Sequence, residues 1–141
     1  MARLVAVGAS KVRQEPKTAL SEGVCVAGKG LEGDSHFGIP GRPLSLLRAE
    51  DLRDAEARAG FSFPPGSLAE NLVVEGLPEL AVGDRLEIRE VRLRVAEKGK
   101  RPDEPHSYDF KGWCLLPTVG FFLEVEQGGI LRPGDEVTLK R

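Results

Sequence analysis

Apolar and charged residues alternate along much of the chain, and this pattern predicts β-strands. Over residues 85–88 and 91–95 apolar residues alternate with charged ones, which is typical of antiparallel strands with one buried face. The apolar members of this alternation are Leu86, Ile88, Val91, Leu93 and Val95. Residues 4–7, 24–27 and 42–47 contain shorter apolar runs of strand length. The chain is therefore predicted to be mainly β.

One segment, residues 48–60, has a helical period instead. Leu52, Ala55 and Ala59 fall on one stripe of a helix, with charged residues around the remainder. Gly60 predicts the end of this helix, and the prolines that follow exclude regular structure. Together these elements predict a single domain over residues 1–141, a β-barrel that is closed or nearly closed and carries one main α-helix.

Composition and charge exclude several classes of function. The chain has 20 basic and 22 acidic residues and a net charge of −2, so no overall field attracts it to nucleic acid or to a membrane. No apolar run approaches the roughly 20 residues that span a bilayer, and the first residues do not form a secretory signal. We therefore expect a cytoplasmic protein whose two cysteines are reduced thiols.

The segment most indicative of function is residues 30–42, which read GLEGDSHFGIPGR. Its glycines allow a ligand to approach the backbone closely, and loops between rigid elements commonly carry binding sites. Asp34, His36 and Arg42 place an acid, a titratable base and a cation after Gly33. The alternative is a surface connection in which Asp34 caps a turn. From these residues alone both interpretations stay open.

A second candidate is the pair Glu70 and Asn71, which precedes an apolar strand. Asn71 is the only asparagine in the chain, and a side-chain amide both donates and accepts hydrogen bonds. It could recognise a polar ring or a carbonyl, or it could equally satisfy a backbone turn.

A third candidate is the cluster of cations around Gly99 after the last alternating strand. Lys98, Lys100 and Arg101 flank this glycine and could hold a phosphate or another oxyanion. Lysine-rich strand ends also serve solubility, so this signal is weaker.

The two cysteines differ in their surroundings. Cys25 lies between valines, and Cys114 lies between Trp113 and Leu115. Both local sequences favour a buried position, because free cysteine is among the most buried residue types. Cys114 would be reactive only if the fold placed a cation beside it, and Lys111 is near in sequence.

Four segments together resemble the MOSC domain, named for the C-terminal part of molybdenum cofactor sulfurases. They are GLEGDSHFGIPGRPLSLL, SLAENLVVEGL, VGDRLEI and GWCLLPTVGFFLEVEQGGILRPGDEV, which run from about Gly30 to Val137 in the family's order. The chain is most similar to the short, free-standing bacterial members. The resemblance implies a barrel-like β fold and a pocket for a pterin-bound molybdenum centre (molybdopterin) or a sulfurated intermediate. It implies that this pocket is lined by Gly33, Asp34, His36, Arg42, Glu70 and Asn71.

The resemblance also implies a reaction class and partners. Members are thought to carry sulfur on a cysteine during the maturation of metal–sulfur clusters or cofactors, and some larger relatives bind the molybdenum cofactor and reduce N-hydroxylated bases. The implied partners are an anionic small molecule or pterin and a cysteine desulfurase or cofactor-dependent enzyme.

The chain departs from the family at the sulfur-carrying cysteine. An ungapped comparison places Pro102 at that position and His106 where short members often have a second cysteine, while Cys114 matches a further family cysteine. Proline has no nucleophile, so the family's thiol is absent at position 102.

Two hypotheses follow from that departure. In the first, Cys114 carries the sulfur, Arg42 and Lys100 anchor an anionic ligand, and His36 handles protons. In the second, the protein is a binding module that kept the pocket and lost the reactive thiol. Asp34, His36, His106 and Cys114 follow no zinc spacing, so we assign no metal site.

Overall fold

Residues 2–12, 15–40, 43–99 and 110–141 are described by a computed structural model of the chain. The elements, in chain order, are β1 (Ala2–Ala9), β2 (Thr18–Ala19), β3 (Gly23–Val26), β4 (Gly30–Leu31), β5 (Leu44–Arg48), α1 (Ala49–Ala59), β6 (Leu72–Glu75), β7 (Arg85–Ile88), β8 (Val91–Lys98), α2 (Leu116–Val119), β9 (Phe121–Gln127), β10 (Gly129–Leu131) and β11 (Glu136–Lys140).

Seven strands form a mixed barrel. Their order is β11-β7-β8-β9-β5-β6-β1, and β1 closes the ring by pairing with β11 at Ala2↔Val137 and Arg3↔Glu136. The β5–β6 pair is parallel and the other pairs are antiparallel. Strand β2 pairs with the end of β1, and β10, β3 and β4 form a small second sheet. The predicted mainly β barrel with one main helix is confirmed.

The barrel interior is filled by the apolar members of the alternating strands. All five residues that the alternation identified are fully buried, namely Leu86, Ile88, Val91, Leu93 and Val95. Cys25 belongs to the same core cluster and is 3% exposed, so its predicted core position is confirmed. Burial raises the pKa of the Cys25 thiol to about 12, which makes this cysteine inert at neutral pH.

Helix α1 connects the two parallel strands. Parallel neighbours need a long crossover, and α1 with residues 60–71 supplies it between β5 and β6. Ala55 is fully buried in a second apolar cluster, separate from that of the barrel interior. Leu52 and Ala59 pack against this cluster, as the helical stripe predicted. Gly60 ends the helix at φ 82°. The crossover returns to the barrel just after Glu70 and Asn71, which places both residues at the start of β6.

Among the described helices, neither is long and apolar enough to cross a membrane.

Candidate functional site

The centre of the candidate site is a buried ion pair between Lys17 and Asp34. Lys17 Nζ lies 2.7 Å from Asp34 Oδ1, and the two side chains are 1% and 0% exposed. Oδ1 also accepts the backbone N–H of Ser10 at 3.1 Å, and Oδ2 accepts that of His36 at 3.2 Å. Burial alone would raise the pKa of Asp34, but the nearby His36 side chain, the hydrogen bond and charge of Lys17, and the Ser10 N–H hold that pKa well below its usual range. Asp34 is therefore ionised and tied into the chain.

Comparison with the other two Gly-Asp turns shows what is particular to Asp34. In all three turns the aspartate N–H donates to the carbonyl three residues earlier. Asp84 and Asp135 then use their own carboxylates to accept the N–H groups of Ala81 and Arg132, which completes the same turn. Each of these two carboxylates also accepts from an exposed arginine, Arg141 for Asp84 and Arg89 for Asp135. The Asp34 carboxylate instead bonds to Ser10, to His36 and to a lysine that is itself buried, so its ion pair is shielded from solvent.

The loop after Gly33 does not offer a run of open amides to a ligand. Each backbone N–H from residue 34 to residue 39 donates to an oxygen of the protein. The accepting residues are Leu31, Ser10, Asp34, Asp34 again, Lys29 and His36. A ligand at this segment of the loop would therefore be held by side chains, mainly those of Ser35 and His36.

His36 is the described loop residue best placed for that role. Its side chain is 36% exposed. The ring atom Nδ1 lies 3.5 Å from Lys17 Nζ and 3.3 Å from Ser35 Oγ, and it is 3.7 Å from Asp34 Oδ2. One side of the imidazole is thus fixed by the buried pair, and part of the ring remains in contact with solvent.

Glu70 holds the turn that faces Lys17. Its two carboxylate oxygens accept the N–H groups of Gly66 at 2.8 Å and Leu68 at 3.1 Å. Ala69, directly before Glu70, has φ 66°, a conformation that costs a non-glycine residue strain. Burial raises the pKa of Glu70, against the opposing effects of these hydrogen bonds and of Lys17. The carbonyl of Gly66 accepts the Lys17 N–H at 2.8 Å, so the turn also positions the lysine.

Asn71 joins β6 to β5 and β1. Its Oδ1 accepts the N–H and the hydroxyl of Ser45 at 3.0 and 3.1 Å, and its Nδ2 donates to the Gly8 carbonyl at 3.0 Å. The residue is 2% exposed. Asn71 thus bonds to distant segments of the chain rather than to a turn of its own.

The remaining predicted site residues fall into two groups. Gly33 is exposed at φ 81° with open space around it, and Cys114 is half-buried just before α2, beside the aromatic cluster of Phe61, Phe63, Phe110 and Trp113. Arg42, Lys100, Arg101, Pro102 and His106 lie outside the described residues. Within the described ranges, no three His, Cys, Asp or Glu side chains are grouped to hold a metal ion.

Sequence reasoning missed Lys17, which is 5% exposed overall. It stands in a polar, proline-containing stretch that is typical of a surface loop, and its partner Asp34 is 17 residues away. Ser45 was missed for a different reason, because it sits inside an apolar strand. The uniqueness of Asn71 was the one signal that pointed to this neighbourhood.

The mixed seven-stranded barrel is the fold class of this protein. The sequence matches the model of the MOSC domain family over residues 32–138, and the chain belongs to this family. Comparison with curated proteins gives no match.

Solved structures show the same fold. YuaD from Bacillus subtilis superposes with a TM-score of 0.79 at 19% identity, over 99% of this chain and 96% of YuaD. YiiM from Geobacillus stearothermophilus gives a TM-score of 0.73 at 22% identity, over 100% of this chain and 76% of YiiM. YiiM from Escherichia coli gives 0.61 at 19% identity, over 99% and 70%.

Proposed function

We propose that this MOSC domain binds an anionic small molecule of the molybdenum-cofactor (pterin) class at the loop that carries His36. The observation that carries the proposal is the buried Lys17–Asp34 pair, which fixes this loop while leaving the His36 ring 36% exposed. A rigid loop with one exposed polar ring is preorganised for binding, since little conformational entropy is lost when a ligand orders it.

The two buried carboxylates of the site, Asp34 and Glu70, are compatible with an anionic ligand. The negative charge of Asp34 is balanced at 2.7 Å by Lys17, and burial raises the pKa of Glu70, which disfavours its charged form. Neither carboxylate therefore opposes an anion beside His36. The side-chain oxygens of Asp34, Glu70 and Asn71 already bond to groups of the protein. These residues would therefore position the binding loop rather than contact the ligand.

Molybdate and pterin-6-carboxylate are suitable probes for this proposal. The wild-type protein should bind both, the pterin being followed by its fluorescence and molybdate by calorimetry. His36→Ala should weaken molybdate binding by about tenfold, because a hydrogen bond to a charged group contributes about 1.5 kcal/mol.

The matched control is Phe37→Ala. Phe37 is the adjacent ring on the same loop with a similar exposure of 39%, but it has no hydrogen-bond donor, so molybdate affinity should not change. If the wild type binds neither molybdate nor pterin-6-carboxylate, the proposed function is ruled out. If His36→Ala and Phe37→Ala lose molybdate affinity equally, the role of His36 is ruled out.

Sulfur transfer on Cys114 is a second candidate function, favoured by the contrast between the two cysteines. Cys25 is 3% exposed with a raised pKa, whereas Cys114 is half-buried. In this reaction the Cys114 thiolate attacks the outer sulfur of a cysteine desulfurase persulfide. The donor S–S bond breaks, and the desulfurase cysteine leaves as a thiolate.

Mass spectrometry after incubation with a cysteine desulfurase and cysteine tests this candidate. A persulfide should appear on Cys114, survive in Cys25→Ser and disappear in Cys114→Ser. If the wild-type protein gains no sulfur on Cys114, the carrier function is excluded and the binding function stands alone.

A further inference from the structure

Lys17 lies against one particular atom of His36. Its Nζ is 3.5 Å from His36 Nδ1 and 2.7 Å from Asp34 Oδ1. A lysine ammonium has three N–H donors and no acceptor. A proton on Nδ1 would therefore point a second donor at the ammonium, whereas the lone pair of an unprotonated Nδ1 faces it favourably.

The other groups near Nδ1 permit the same arrangement. Ser35 Oγ, at 3.3 Å, can donate its hydroxyl hydrogen to Nδ1 as readily as it can accept. Asp34 Oδ2 could in principle accept from a protonated Nδ1, but it is 3.7 Å away, beyond hydrogen-bond distance, and it already accepts the His36 backbone N–H at 3.2 Å. Lys17 can only donate, Asp34 can only accept and Ser35 can do either. Of the two groups with a fixed role, only Lys17 lies within hydrogen-bond distance of Nδ1.

We propose that Lys17 is a positioning residue that fixes His36 in the tautomer with its proton on Nε2. The buried pair then has a function beyond stability: Asp34 positions Lys17, and Lys17 determines which ring nitrogen of His36 carries the proton. The neutral ring of His36 presents an N–H donor from Nε2.

The tautomer defines the kind of ligand atom that His36 contacts, and this part rests on the proposed function. A donor on Nε2 pairs with an acceptor such as a phosphate, carboxylate or oxo oxygen. It excludes an amine or amide N–H of the ligand at the same place. Lys17 would thereby favour the anionic part of the ligand at His36 without touching the ligand itself.

Nitrogen NMR of the ligand-free protein tests the tautomer directly. Protein labelled with ¹⁵N-histidine is measured at about pH 9, well above the ordinary histidine pKa of about 6.5, and the His36 signals are assigned by their loss in His36→Gln. Two-bond nitrogen–proton correlations should show an unprotonated Nδ1 and a protonated Nε2. An Nδ1–H pattern, or shifts averaged between both tautomers, would overturn the proposal.

The role of Lys17 is tested in Lys17→Met/Asp34→Asn, which removes both charges together so that no unpaired ion is buried. The His36 nitrogen shifts should move toward the averaged values of a ring that exchanges between tautomers, while Ser35→Ala should keep the wild-type pattern because Lys17 remains. An unchanged pure Nε2–H pattern in the folded double variant would show that Lys17 does not select the tautomer. Since these spectra need no ligand, they decide the tautomer even if molybdate and pterin fail to bind.

Discussion

Replacing Lys17 with methionine is expected to lower the free energy of unfolding by about 3–5 kcal/mol at neutral pH, the cost of leaving one member of a buried ion pair without its partner. Methionine fills similar space but gives Asp34 no positive charge, and the Asp34 side chain is 0% exposed. Urea unfolding of the two proteins, with equal m-values as the check on two-state behaviour, measures the difference.

The pH dependence of this loss gives a sharper result. The folded-state pKa of Asp34 lies below the unfolded value, so its stabilising effect is complete above the unfolded pKa of about 3.9 and is lost as the pH falls toward the folded pKa. The difference between wild type and Lys17→Met should therefore narrow below about pH 4. Lys17→Met/Asp34→Asn should be more stable than Lys17→Met at pH 7. If Lys17→Met is as stable as the double variant at pH 7, Lys17 does not stabilise the fold by neutralising the charge of Asp34.

Alanine at Gly66 is expected to cost at least about 3 kcal/mol, the sum of left-handed backbone strain and a broken buried hydrogen bond. Gly66 has φ 85°, and a Cβ there would lie 2.1 Å from the carbonyl oxygen of Lys17. The strand entry at Lys17 would have to move away, which breaks its N–H bond to the Gly66 carbonyl. Thermal and urea unfolding measure this loss.

Gly33→Ala is the matched control for that prediction. Gly33 has nearly the same backbone conformation, φ 81°, but nothing lies within 4 Å of a Cβ there. Its cost should be the backbone strain alone, about 1–2 kcal/mol. Equal losses at the two glycines would show that the close approach of Gly66 to Lys17 adds nothing.

The barrel was predictable where burial alternates within one short segment. In β7 and β8 the apolar positions are adjacent in sequence to the charged ones, so period 2 alone identified the core face. Helix α1 was equally local, with its stripe and its glycine stop inside 13 residues. The parallel pairing of β5 with β6, and the small sheet that joins β3 to β10, depend on contacts between distant segments. No local period encodes these pairings.

The candidate site was only half predictable for the same reason. The loop of Asp34 and His36 and the pair Glu70 and Asn71 were found from their residue types and order. Their roles were not, because each depends on a partner elsewhere: Lys17 for Asp34, the Gly66 turn for Glu70, Ser45 for Asn71. A lysine in a polar stretch has no sequence mark of burial, and only the fold shows that its charge is matched.

The pairing of β1 with β11 has a consequence for how the chain assembles. Ala2 and Val137 are partners although they lie far apart in sequence, and non-local pairings of this kind carry the largest loop-closure entropy and slow folding. We infer that the ring closes late, after β7 and β8 have formed their local hairpin. Until then β1 and β11 present open edges that can pair with another chain, so the protein is most exposed to aggregation before these two strands have paired.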